Sequence, residues 1–210
     1  MLEYCIKYQD QIMDALMEHI HITLTAVVIS VLIAFPIGFF ISRWRRLSGL
    51  INGICNVIFS IPTLALLVIL IPFTGLGSTT AIVTLILYNQ YLLIKNIEEG
   101  FNEVSPRVKE SAMGMGMSRW QVFYKIEIPL ALPMILSGLK LATSGTIAMA
   151  TLGATVGAGG LGRLILMGMT MQHWEKVIVG TVLSALLALL ATAVFQLLEN
   201  FSLRRARGEG

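Results

Sequence analysis

Tyr88, Asn89, Gln90 and Tyr91 make one concentrated polar and aromatic cluster inside an otherwise apolar stretch. Aromatic faces attract a quaternary ammonium through the ring quadrupole, so the chemistry offered is the holding of a cation rather than the making of a bond. Tyrosines at a membrane boundary also serve as plain anchors, and that reading stands ahead of the ligand reading. Asn52, Asn56, Ser60 and Thr63 fall at spacings that put them on one helical face, either beside the same path or as hydrogen-bonding glue between helices. Gly157, Gly159 and Gly162 in GAGGLG have the spacing of a dinucleotide-binding turn. That turn needs a strand before it, whereas here an apolar helical segment precedes it, so the glycines read as a place where the backbone turns back or helices approach closely. His19, His21 and His173 form no cluster, and Cys5 and Cys55 have no metal-ligand spacing, so neither a metal site nor a disulfide is expected. No GxxxxGK[ST] phosphate loop occurs, and no Ser, His and Asp set converges for covalent catalysis.

The elements that must position these residues are membrane spans. The chain is 56% hydrophobic and 13% charged, with a mean hydropathy of +0.79, and its apolar residues fall in blocks rather than alternating faces. Crossing about 30 Å of hydrocarbon takes roughly 20 apolar residues as a helix. Five stretches approach or meet that length: Ile22 to Ser42, Leu50 to Phe73, Thr79 to Ile94, Leu130 to Thr151 and Val177 to Leu198. Only helices are expected, because backbone polar groups in lipid must be satisfied within each span. Arg43, Arg45 and Arg46 follow the first stretch, Lys95, Arg107, Lys109, Arg119 and Lys125 lie between the third and fourth, and Arg204, Arg205 and Arg207 close the sequence. Lys7, Arg163 and Lys176 are the basic residues on the other side, so the N-terminus is expected outside and the C-terminus in the cytoplasm. The N-terminal stretch lacks the basic region and cleavage site of a signal peptide, and the first span is expected to stay as an anchor.

Four of the five stretches contain no ionisable residue, and Lys140 in the fourth lies close enough to the cytoplasmic end to snorkel. Ion-coupled carriers need carboxylates or bases within the membrane. A solute moved uphill by this chain therefore takes its energy from a partner. A self-contained channel or facilitator stays open as an alternative, and a membrane-embedded enzyme is set aside for want of ligands or a nucleophile.

Between the third and fourth spans lies a polar island, residues 95–129, containing ESAMGMGMSRWQVFYKIEIP. Ser105 followed by Pro106 is a helix start, with the hydroxyl expected to cap and the proline preset at the first helical position. The helix is expected to stop around Gly114 to Gly116, where glycine permits a left-handed turn. A second helix begins at Ser118, whose spacing from Gln121 is that of a capping box, and Pro129 is expected to interrupt it. Two short helices at a glycine corner make a compact knob. From these features alone, a docking knob and an ordinary amphipathic loop on the membrane surface are equally good readings.

The pattern Glu110, Ser111, Ala112, then Gly116, then Ile126, Ile128 and Pro129 resembles the EAA signature of permease subunits of binding-protein-dependent ABC importers. Its departures, Ser111 for alanine and Ile128 for leucine, are mild. The resemblance covers nearly the whole chain through IFSIPTLALLVILIPFTGLG, GMGMSRWQVF, IPLALP and GAGGLG, and it favours the osmoprotectant branch, which imports glycine betaine, carnitine and choline. The methionine-importer branch, with the same five-span plan and a GAGGLG stretch, is the runner-up, and YNQYLLIKNIEEG is unlike typical betaine permeases. The resemblance implies a type I importer fold in a bacterial cytoplasmic membrane. It implies a second permease subunit, identical or a sibling, a pair of ATPase subunits that bind ATP and magnesium, and an extracytoplasmic solute-binding protein. No cofactor is implied in this chain, whose own role is non-catalytic. Glu110, Ser111, Ala112, Gly116, Ile126 and Pro129 are assigned to ATPase coupling. Tyr88, Asn89, Gln90, Tyr91, Asn52 and Asn56 are the candidates for the solute path.

Overall fold

The computed structural model describes residues 2–206, and Arg207 lies outside the described residues. Every regular element among them is helical: α1 Leu2–Lys7, α2 Gln9–Arg43, α3 Arg45–Ser60, α4 Thr63–Thr74, α5 Ser78–Glu103, α6 Pro106–Gly114, α7 Arg119–Val122, α8 Ile128–Ala150, α9 Gly160–Thr170 and α10 Trp174–Ala206. A π-helical turn, Phe123–Glu127, joins α7 to α8, and a 3-10 turn, Thr151–Val156, follows α8.

α5 is the central helix, flanked by α2 and α8. Small residues allow the close approach that lipid-embedded helices need in place of a hydrophobic driving force. On α2, Ala26, Ser30, Ala34 and Gly38 are buried at every fourth position, and a side chain at Gly38 would meet Ile97 of α5 at 2.7 Å. On the other flank, a Cβ at Gly100 of α5 would lie 2.9 Å from the Ala131 carbonyl, and one at Gly138 of α8 would lie 2.5 Å from Asn96. Towards the end of α2 at Arg43 the core is aromatic, with Phe39 packed edge-on against Phe101 at 5.0 Å and tilted against Phe123 at 4.9 Å.

Among the described residues, three helical runs are long and apolar enough to cross a membrane: Gln9–Arg43, Arg119–Val156 and Trp174–Arg204. A fourth is reached if α3 and α4, bent by 99° at their junction, count as one span. The expected straight span from Leu50 to Phe73 is thus broken. The cause is local: Ile61 precedes Pro62 and is pushed to extended backbone, φ −70° and ψ 131°. The Tyr88 hydroxyl donates to the Ile61 carbonyl and satisfies one group freed by the break. Thr63 therefore sits beyond the elbow, off the face that Asn52, Asn56 and Ser60 share on α3. Despite the bend, the pair runs alongside α5 from one end to the other. Asn52 of α3 donates to Glu98 near the C-terminus of α5, whereas Thr74 at the end of α4 lies 2.5 Å from Thr80 at its start. The expected stretch Thr79 to Ile94 is part of α5, which is long enough to cross but carries Asn89, Gln90, Lys95, Glu98, Glu99 and Glu103 and is not among the apolar runs.

Two further expectations give way. Pro129 does not interrupt its helix. The Ile128 N–H reaches back five residues to the Phe123 carbonyl, and the widened turn absorbs the proline, so the helix runs on from α7 into α8. Nor does Lys140 snorkel. Its ammonium is held by Glu199 at 2.6 Å and Gln196 at 2.8 Å, both on α10, so a neighbouring carboxylate satisfies the charge.

GAGGLG closes the far end of the bundle. Gly157 lies at φ +80° after the 3-10 turn, and a Cβ at Gly162 would overlap the Thr151 carbonyl, so the glycines serve turning and close packing. Glu18 of α2 accepts from the Gly160 N–H at 2.9 Å and pairs with Arg163 at 3.3 Å. Beside it His19 is fully buried and hydrogen-bonded through Nε2 to the Ile147 carbonyl at 3.1 Å.

Candidate coupling site and buried polar cluster

α6 starts with Pro106 at its first position, where the missing N–H costs nothing; the Ser105 hydroxyl makes no cap, contrary to the expectation. Its far end is a Schellman closure. The Gly116 N–H donates to the Met113 carbonyl at 2.9 Å and the Met117 N–H to the Ala112 carbonyl at 3.2 Å, with Gly116 at φ +88°. Chain direction then reverses into α7, whose start is the capping box expected from Ser118 and Gln121: Gln121 N–H to the Ser118 hydroxyl at 3.3 Å, and Ser118 N–H to the Gln121 side chain at 2.8 Å. The result is a rigid corner. Its outer surface presents Glu110, Ser111 and Gly116, all exposed, together with Trp120 stacked on Tyr124 at 6.0 Å.

The assigned residues divide between two faces. Ala112, assigned to ATPase coupling, is 1% exposed and faces its own chain. Ile126 and Pro129 are half-buried on the helix behind the corner. Beneath α6 lies a group that the sequence reading passed over. Glu127, 4% exposed, is paired with Arg43 at the end of α2 and with Lys109 of α6 at 3.3 Å. The Arg43 guanidinium also lies over the Phe39 ring at 5.1 Å. A cavity of about 710 Å³ opens beside this cluster, walled by Phe39, Met113, Trp120 and Phe123.

Why Glu127 points inward follows from helix geometry. Val122 and Glu127 are both buried and five residues apart, the period of the widened π turn, after which Ala131 and Ile135 follow at intervals of four. With an uninterrupted α-helical period the buried position would fall at Ile126 and the carboxylate would leave the core. The signal available in sequence was a lone acid between two isoleucines beside a proline. The extra residue in the turn was not legible.

Of the solute-path candidates, Asn89 and Gln90 lie between helices. Asn89 donates to the Ser30 hydroxyl of α2 at 3.3 Å and accepts from Thr146 of α8 at 3.0 Å, and Gln90 donates to the Ile86 carbonyl at 3.1 Å. Tyr88 is buried against Phe59 and the α3–α4 elbow. Tyr91 lies 5.0 Å from Phe59 and is half-buried, with Lys95 5.9 Å from its ring. Asn52 is engaged with Glu98, and Asn56 is exposed. Among the described residues, no group of three or more His, Cys, Asp or Glu side chains comes together to hold a metal ion.

Known proteins resemble this chain in sequence and in fold. The chain is 35% identical over 183 residues to the glycine betaine/carnitine/choline transport system permease protein OpuCB of Bacillus subtilis, covering 87% of this chain and 84% of that protein. It is 34% identical to the carnitine transport permease protein OpuCD of Listeria monocytogenes, covering 95% and 90%, and 37% identical to the choline transport system permease protein OpuBB of Bacillus subtilis, covering 87% and 84%. In fold it is similar to a chain of the inward-facing MetNI methionine ABC transporter, with a TM-score of 0.79 at 23% identity over 91% of this chain and 95% of that one. Residues 21–204 match the model of the binding-protein-dependent transport system inner membrane component family. With an all-helical fold, an EAA-like corner and relatives aligned over more than four-fifths of its length, this chain belongs to that family of ABC importer permeases.

Proposed function

We propose that the chain is the transmembrane subunit of an ATP-driven importer for quaternary-amine osmoprotectants such as glycine betaine, carnitine or choline. The observation that carries the solute class is the set of relatives at 34–37% identity, whose names give these three solutes. The subunit crosses a bacterial cytoplasmic membrane five times as a single domain, N-terminus outside and C-terminus inside. The course of the bent α3–α4 pair along the full length of α5 supports the fifth crossing, and the placing of Arg43, Lys109 and Arg119 at one end supports the orientation. It pairs with a second permease, takes solute from an extracytoplasmic binding protein, and rests on two ATPase subunits that bind ATP and magnesium.

In this reading Glu110, Ser111 and Gly116 form the surface that enters the ATPase groove, while Ala112, Ile126 and Pro129 support it from behind. Closure of the ATPases on ATP pushes the corner, and the spans answer by alternating access. Asn56 and Tyr91 are the candidates left free to face solute. Asn52, Tyr88, Asn89 and Gln90 hold the helices that present them. The test is reconstitution of the complete complex with its binding protein in liposomes. ATP-dependent uptake of betaine, carnitine or choline is expected. Stimulation of hydrolysis by methionine, with none by any quaternary amine, moves the chain to the methionine branch.

A further inference from the structure

The Glu127 carboxylate is almost fully buried, and each of its oxygens meets a cation from a different element: Oε1 meets Lys109 of α6, and Oε2 meets Arg43 at the end of α2. Glu127 itself belongs to the π turn that leads into α8. One side chain therefore ties the corner helix to two spans. α6 otherwise leans mainly on α7, which belongs to the same knob. A buried carboxylate deprived of a partner is strongly unfavourable, so the three groups are expected to move together rather than part. The π turn is the place on this helix where the hydrogen-bond register already departs from the α pattern, and such turns recur at functional positions.

We propose that Lys109, Glu127 and Arg43 are positioning residues for energy coupling, carrying displacement of α6 into α2 and α8. The inference rests on the reading of α6 as the ATPase-docking helix and names the link behind it. The contact of α6 with the ATPase delivers the movement. The charge-paired Glu127 makes the spans follow.

The experiment uses the full complex in liposomes and measures solute taken up per ATP hydrolysed. Lys109→Gln is expected to lower that ratio by about fivefold or more while the ATPase still co-purifies. Lys109→Arg, which keeps the charge within reach of Glu127, is expected to restore it. Glu127→Gln should resemble Lys109→Gln; if it fails to insert, the Lys109 pair decides, because that side chain is only partly buried on a peripheral helix. An unchanged ratio in Lys109→Gln overturns the proposal, and so does a loss that Lys109→Arg leaves unrepaired. Gly116→Val, measured in parallel, separates the two levels. If it too leaves uptake normal, the docking reading falls; if it uncouples transport while Lys109→Gln does not, the Glu127 link alone falls.

Discussion

Replacing Gly116 isolates what the corner contributes, because the strain can be assigned to one source. The residue sits at φ +88°, and a Cβ built on it meets nothing within 4 Å. A Cβ there suffers no steric clash within the subunit, and the main cost is that of holding an L-residue in left-handed backbone, about 1–2 kcal/mol. That energy corresponds to a shift of about 5- to 30-fold away from the seated conformation of the closure. Asparagine tolerates this region best after glycine, alanine less, and β-branched valine least. The expected order of solute uptake is therefore Gly, Asn, Ala, Val, with equal amounts of subunit in the membrane fraction for all four. ATPase association, measured by co-purification, should follow the same order. Equal uptake in Asn and Val variants would refute the backbone argument, and loss of Val from the membrane would show that the corner is needed for folding rather than for docking.

In a chain with Cys5 and Cys55 replaced by serine, a cysteine at Gln9 should be labelled only from outside and one at Arg204 only from the cytoplasm; labelling of both from one face would rule out an odd number of crossings. Lys140→Met strands Glu199 among apolar side chains at the α8–α10 contact and should destabilise the subunit by about 3 kcal/mol, read as a lower melting temperature in detergent. Adding Glu199→Gln should recover most of that loss, and equal stability of the single and double variants would show that the loss does not come from an unpaired Glu199.

Much of this fold was legible because lipid restricts the options. Long apolar blocks had to be helices, and the Ser118 to Gln121 box and the glycine after Met115 marked the corner to within a residue. The elbow at Pro62 was written in the sequence too, since Ile61 cannot easily stay helical before proline, but block hydropathy averages over such a break. Less accessible were features that depend on which residues meet across the bundle. Lys140 looked like a snorkelling side chain until α10 brought Glu199 to it. Asn89 and Gln90, solute-path candidates behind the plainer anchor reading of their cluster, engage helices that sequence does not place beside them, Asn89 meeting α2 and α8 and Gln90 meeting α2. Arg43 and Lys109 were visible only as topology charges, because the carboxylate that joins them is turned inward by one added residue in a helical turn.

The lock between α2 and the glycine turn carries a consequence for biogenesis. Glu18 and His19 bind partners 142 and 128 residues later in the chain. Synthesis proceeds from the N-terminus, so this end of α2 is fastened only after its main packing partner, α5, has been made. Until α8 and the turn before α9 arrive, an acid and an imidazole at that end of α2 have neither the Gly160 amide nor the Ile147 carbonyl to satisfy them. The nascent subunit thus has an interval in which α2 is made but unsecured at one end. A chain ending before Gly160 lacks the amide that Glu18 accepts from, so this end of the bundle closes only when the glycine turn is complete.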